Sequence, residues 1–234
     1  MVHTATALER AFHRTLIDAA LVDVATNTDD AWQGAALARE FPSAPFFAVT
    51  PLRSTDAPIL ARCVELELAD VVIDGVDDAA IRAILLAAAF RARFAIALAV
   101  PPVALGLASK LQRDTWSCVV GHAGLPVRTD TIAKVVGVTR EHLSRSFAAG
   151  GAPNLKRAID LVRLVAAAEL AKNPGYDLRD VATVLAFASA SHLSSTAQRI
   201  IGMRPTALCR LRAVDLFTRF AAGRGRSRRS VSTR

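Results

Sequence analysis

Apolar residues recur along this chain with two different periods, and the changes of period mark out its elements. Over residues 4–15, Leu8, Ala11, Phe12 and the following Leu16 keep helical spacing. The run ALVDVAT (20–26) is short, apolar and β-branched, and Asn27-Thr28-Asp29-Asp30 closes it, as a strand running into a helix N-cap would. The pattern repeats: helix 29–40, Pro42 and Pro45, strand PFFAVT (45–50), helix 56–68, strand ADVVIDG (69–75), and Asp77-Asp78 opening another helix. Short strands alternating with helices predict a small parallel sheet, because parallel neighbours need a crossover. The helix from Asp77 is expected to run to Pro101-Pro102, with a fourth strand inside FAIALAV (94–100) as the competing reading, and a further helix covers 103–120.

Gly121-His122-Ala123-Gly124-Leu125-Pro126 breaks this periodicity, and everything after it reads as helix. A short helix 129–136, a turn at Gly137 and a helix 139–149 capped by Thr139 are followed by the break Gly150-Gly151-Ala152-Pro153. Asn154 caps a long helix to Lys172. Asn173-Pro174-Gly175 then separates it from a second short-helix, tight-turn, helix arrangement at 177–185 and 191–201. Gly202 and Pro205 lead into a last helix, 205–222. The expected organisation is an α/β region over 1–121 with a trailing helix, a linker 122–128, an all-α region 129–222, and a basic tail 223–234 that is disordered by composition.

Composition narrows the function. With 52% hydrophobic residues in 234 positions the chain is no disordered or collagen-like polymer, and with 6% aromatics its core is built from small aliphatic side chains on closely packed helices. Cys63, Cys118 and Cys209 are too far apart for a disulfide framework or paired zinc ligands, and His3, His13, His122 and His192 are scattered. The N-terminus has no basic start followed by an apolar run, so a cytoplasmic location off the membrane is expected. Charge is segregated: residues 1–125 hold 10 basic and 14 acidic side chains, whereas 126–234 hold 19 and 7. A net +8 can simply serve solubility, but its concentration in one half favours a polyanion, since a basic face gains affinity by releasing counterions from phosphates.

The helical half resembles the DNA-binding region of the AraC/XylS transcription regulators over about 127–212. Ile132-Ala133, Gly137-Val138, Thr139, Leu143-Ser144-Arg145 and Phe147 fit the family's first helix-turn-helix. Arg163-Leu164, Ala167 and Leu170 fit its linking helix, and Val181-Ala182, Phe187, Ser191-His192-Leu193-Ser194, Gly202 and Pro205 fit its second unit. The resemblance implies double-stranded DNA as partner. In such a unit the first helix crosses the backbone and presents the start of the second to base edges. The residues it implies at the first unit are Thr139, Arg140, Glu141, Ser144 and Arg145, with Arg140 reading guanine or holding a phosphate and Arg145 clamping a phosphate. His142 stands at the family's aromatic position and is expected to pack. The second unit departs from the pattern: Ala186 replaces the turn glycine, Ser195 an arginine, Ala197 a phenylalanine, and Leu208-Cys209 the terminal Tyr-Arg. Its expected surface, Ser189, Ala190, Ser191, Ser194 and Ser195 with Arg199 further on, is mostly short, so it should contribute position more than sequence reading.

In its second part the N-terminal half resembles a response-regulator receiver, with PFFAVTP and ADVVIDG as the last two strands. Thr50 is in place, yet the acceptor-like strand ends Ala25-Thr26-Asn27 and no lysine precedes Lys110, so phosphorylation control is not expected. No phosphate loop, HExxH or G-x-S-x-G occurs, and the chain reads as a non-enzyme without cofactor or metal. The reading is a DNA-binding regulator whose α/β half mediates self-association or partner contact, with an interaction adaptor on a degenerate DNA-binding scaffold as the alternative. The free edge of the sheet should be covered by helix 4–15 or by a second copy, and a homodimer is the expected state. No effector can be named from the sequence.

Overall fold

In a computed structural model, residues 1–51, 53–75 and 78–229 are described. The first half alternates α1 (Ala5–Phe12), β1 (Ala20–Asp23), α2 (Asp29–Ala36), β2 (Phe46–Thr50), α3 (Ala57–Glu65), β3 (Asp70–Ile73), α4 (Asp78–Ala88) and α5 (Phe90–Ala97). The second is helical: α6 (Lys110–Gly121), α7 (Thr129–Val135), α8 (Arg140–Phe147), α9 (Leu155–Leu170), α10 (Leu178–Val184), α11 (Ala190–Ile201) and α12 (Ala213–Arg229).

The three strands form a parallel sheet in the order β1-β2-β3, with Ala20 opposite Phe46 and Phe47 opposite Asp70. Central β2 buries Phe46, Phe47 and Ala48, whereas edge strand β1 alternates and leaves Leu21 51% exposed. β1 is shorter than the expected 20–26 because Asn27, at φ +49°, turns the chain and accepts a hydrogen bond from Trp32 Nε1 at 2.8 Å. Thr28 then caps α2 by accepting from the Ala31 N–H. α1 packs on α2, and its Phe12 stacks on Phe41 and Phe46 at 4.3 and 5.4 Å, so this helix covers a face of the sheet. Thr50 is buried and donates to Asp56, which also accepts from the Arg53 N–H, so it serves the loop after β2.

Three long helices of the sequence reading are interrupted. The one expected from Asp77 to Pro101 breaks at Ala89, whose ψ of 142° is extended; α4 begins at Asp78, and Asp77 lies outside the described residues. The break lets Asp18 receive the Phe90 N–H on its carbonyl at 2.8 Å and the Arg91 N–H on its carboxylate at 3.1 Å, which satisfies the first turn of α5. FAIALAV is therefore helical over its first residues, and the fourth strand does not form. In 103–120, a 3₁₀ turn at Val103–Leu105 ends in left-handed Gly106, and α6 starts afresh under a capping box of Ser109 and Gln112. The last helix is likewise a 3₁₀ segment, Pro205–Arg210, followed after extended Leu211 by α12, which passes Ala222 and continues to Arg229; residues 230–234 of the basic tail lie outside the described residues.

Two apolar clusters hold the molecule. One lies on the sheet, around Phe12, Val22, Trp32, Phe41 and Phe46. The other is built around α9 and takes in Phe90, Phe94, Leu105 and Trp116 as well as Ile132, Leu143, Phe147, Leu193 and Phe220. The segment expected as a linker is thus a packed turn in the second cluster. Ala123 is fully buried, and a Cβ on Gly124, at φ +85°, would lie 2.3 Å from that of Ala166. Among the described residues no helix is long and apolar enough to cross a membrane.

Candidate DNA-binding surface

The two helix pairs are built by the same local rules. In the first, Gly137 at φ +72° lets the Val138 N–H reach back to the Ala133 carbonyl at 3.0 Å, and Thr139 caps α8 by accepting from the His142 N–H. In the second, Ala186 takes the glycine's place at φ +50°, the Phe187 N–H donates to the Ala182 carbonyl at 2.8 Å, and Ser189 caps α11 by accepting from the His192 N–H. Both turns close with the same bond. The cap follows Gly137 by two positions and Ala186 by three, so the second turn is one residue longer.

Apolar residues point both second helices outward in a fixed rotation. Leu143 and Phe147 of α8 are buried, and Thr139, Arg140, Glu141, Ser144 and Arg145 are exposed. His142 is exposed too, with Ser146 Oγ 3.4 Å from its Nε2, so it does not pack as expected and joins the outward set. Arg140 lies 3.6 Å from Asp130, which also has Arg128 at 3.9 Å, while Arg145 has no carboxylate within ion-pair distance among the described residues. Such exposed pairs contribute little to stability and yield readily to a phosphate. On α11, Leu193, Ala197 and Ile200 are buried, leaving Ser189, Ser191, His192, Ser195 and Gln198 exposed. Ala190 and Ser194 are half-buried, with Ser194 donating to the Ala190 carbonyl and Ser195 to that of His192.

Arg199 is exposed as well, with half of its side chain open. Its guanidinium donates to Asp160 of α9 at 2.9 Å, and Asp160 is largely buried, so Arg199 pins α11 to the linking helix. Arg163, also on α9, is only 8% exposed; it donates to the carbonyls of Gly124, Leu185 and Ala186 and lies 3.8 Å above the Phe187 ring. Burial pushes its pKa down and Asp160 opposes that, and a guanidinium so placed keeps its charge. Arg163 therefore ties the turn of the second unit to the turn before the first.

Two cations that the sequence reading passed over, Arg128 and Lys156, line with Asp130 and Arg140 a depression of about 340 Å³ beside the first unit. Each stands at a helix start, Arg128 at that of α7 and Lys156 at that of α9, but their nearness to Arg140 is set by the fold. Among the described residues no group of His, Cys, Asp and Glu could hold a metal ion.

This geometry defines a class: two helix-turn-helix units on one linking helix, the first with arginines on its outer face. Residues 132–210 match the family of helix-turn-helix domains. No curated protein and no solved structure matches the chain. An AraC-type DNA-binding region suggests a DNA-binding transcription regulator, a class whose members are usually not enzymes.

Proposed function

We propose that this chain is a sequence-specific transcription regulator in which the first helix-turn-helix unit reads bases and the second chiefly fixes position. The observation that carries this reading is the contrast between the two outward helix faces: α8 presents Arg140 and Arg145, whereas α11 presents serines, His192 and Gln198. Arginine reaches guanine edges and phosphates with several donors, and a serine hydroxyl has one. Arg199, engaged with Asp160, acts in this reading as a positioning residue. We further propose that the α/β half is receiver-like in strand order, that it works without phosphorylation, and that a second copy covers the β1 edge, since α1 lies on a sheet face.

The test is binding of the full chain to duplex DNA across a salt series. With ~5 to 8 phosphates neutralised, log K falls against log[salt] with a slope of roughly −4 to −7. Arg140→Ala and Arg145→Ala each weaken specific binding by about 1 to 3 kcal/mol, and Ser191→Ala and Ser195→Ala cost less. A slope near zero would overturn the reading in favour of an interaction adaptor, and equal losses in both units would remove the division of labour.

A further inference from the structure

A cavity of about 400 Å³ lies between α5, the C-terminal part of α9 and the start of α12, large enough for a small molecule. Its walls are mostly apolar: Phe90, Phe94 and Leu98 on one side, Val165 and Ala213 on the other. Three charged side chains stand on its rim. Lys172 and Glu169 neutralise each other at 2.7 Å. Arg93 donates to the Ser43 carbonyl and has no carboxylate within ion-pair distance among the described residues. The rim thus holds one uncompensated positive charge above an aromatic and aliphatic surface.

We propose that this cavity binds a small amphipathic monocarboxylate, with its carboxylate on Arg93 and its apolar body against Phe90, Phe94 and Val165. A carboxylate on a guanidinium forms charge-assisted, often paired hydrogen bonds, and Arg93 has donors beyond the one given to Ser43. An apolar tail gains from leaving water on the aromatic side. A cation meets Arg93 as a like charge, and a neutral alcohol gains only the burial.

The position of the cavity gives the site a place in the molecule. Ser43, whose carbonyl Arg93 holds, also donates its N–H to Asn173 at 2.8 Å, and Asn173 opens the turn between α9 and α10. The same turn receives the α/β half at two further points: the Gly175 N–H donates to the Glu40 carbonyl at 3.0 Å, and Tyr176 donates to the Phe12 carbonyl at 3.2 Å. The cavity wall and the mooring of the second helix-turn-helix unit are therefore one structure. The ligand site itself does not depend on the DNA-binding reading, and its test contains no DNA.

The test uses the full-length protein and the fluorescent anion 8-anilinonaphthalene-1-sulfonate, displaced by octanoate, octanol or octylamine. Octanoate is expected to displace the dye at a concentration about tenfold or more below that needed for octylamine or octanol. Ala97→Trp, at the exposed mouth, fills the opening and removes the dye's fluorescence gain. Arg93→Gln weakens octanoate at least about fivefold while leaving octanol unchanged, and Arg93→Lys recovers part of the loss. Equal displacement by octanoate and octylamine overturns the proposal, and so does undiminished dye binding in Ala97→Trp. Should Ala97→Trp fail to fold, the split between octanoate and octanol in Arg93→Gln decides the matter alone.

Discussion

Ala186 carries the clearest conflict between a residue and its place. It sits at φ +50° because the turn of the second unit needs that conformation, and an L-residue with a Cβ pays for it where glycine would not. Ala186→Gly is therefore expected to stabilise the protein by about 1 kcal/mol, less the greater freedom glycine has in the unfolded chain, read as a higher denaturant midpoint. Asp177 is the opposite case, a residue well suited to its place. Its carboxylate accepts the N–H groups of Asp180 and Arg179 at 2.8 and 2.6 Å, and the Asp180 N–H above all holds its pKa below the ordinary aspartate value of 3.8. A depressed folded pKa means that the stabilisation is complete at neutral pH and is lost as pH falls through the folded value. Asp177→Ala should cost about 1 kcal/mol at pH 7, and the gap to the parent protein should close in unfolding curves taken progressively below pH 3.8.

At the scale of elements, Arg163 does what no sequence pattern announces. The sequence places it on the linking helix by spacing alone, but only the folded chain brings the carbonyls of Gly124, Leu185 and Ala186 to its guanidinium. Arg163→Met removes the donor for three carbonyls and is expected to cost about 2 to 4 kcal/mol, seen in equilibrium unfolding. Amide exchange should quicken most in the turn 185–187 and least in α8, since the first unit closes its own turn with Gly137. The starts at Thr28, Thr139, Asn154 and Asp177 were legible because caps are local, each accepting from a backbone N–H two or three residues on, whereas Ser109 lay inside a helix expected from 103 and Ser189 two positions ahead of one expected from 191. The breaks inside long apolar helices were less so. Ala89 has no breaker chemistry, and the helix bends there because Asp18, distant in sequence, captures the first amides of α5.

For the whole molecule, the change of charge near residue 125 and the boundary between apolar clusters fall at different places. The positive surplus begins near residue 126, whereas the cluster around α9 reaches back to Trp116, Phe94 and Phe90. A fragment of residues 126–234 leaves behind Trp116, Val119, Val120 and Ala123, all nearly or fully buried, and is expected to lack a cooperative thermal transition. A fragment of residues 89–234, which retains them, should unfold cooperatively. Circular dichroism melts of the two fragments check this, and equal cooperativity in both would show that α5 and α6 are dispensable to the helical core.

The outward arginines came with the resemblance to the AraC/XylS regulators, whereas by itself the sequence determined the alternation of three strands with helices, the parallel sheet it implies, and the two short-helix, tight-turn, helix arrangements. These follow from periodicity, caps and turn residues, which act over a few positions and can be read from one stretch of chain. Only the tertiary structure decided that His142 faces solvent, that Arg199 belongs to Asp160, and that Arg128 and Lys156 flank Arg140. It alone set Arg93 over an apolar cavity. Each of these depends on which distant backbone or side-chain group arrives beside a given residue, and burial and charge pairing across a dozen or more positions leave no local pattern to read.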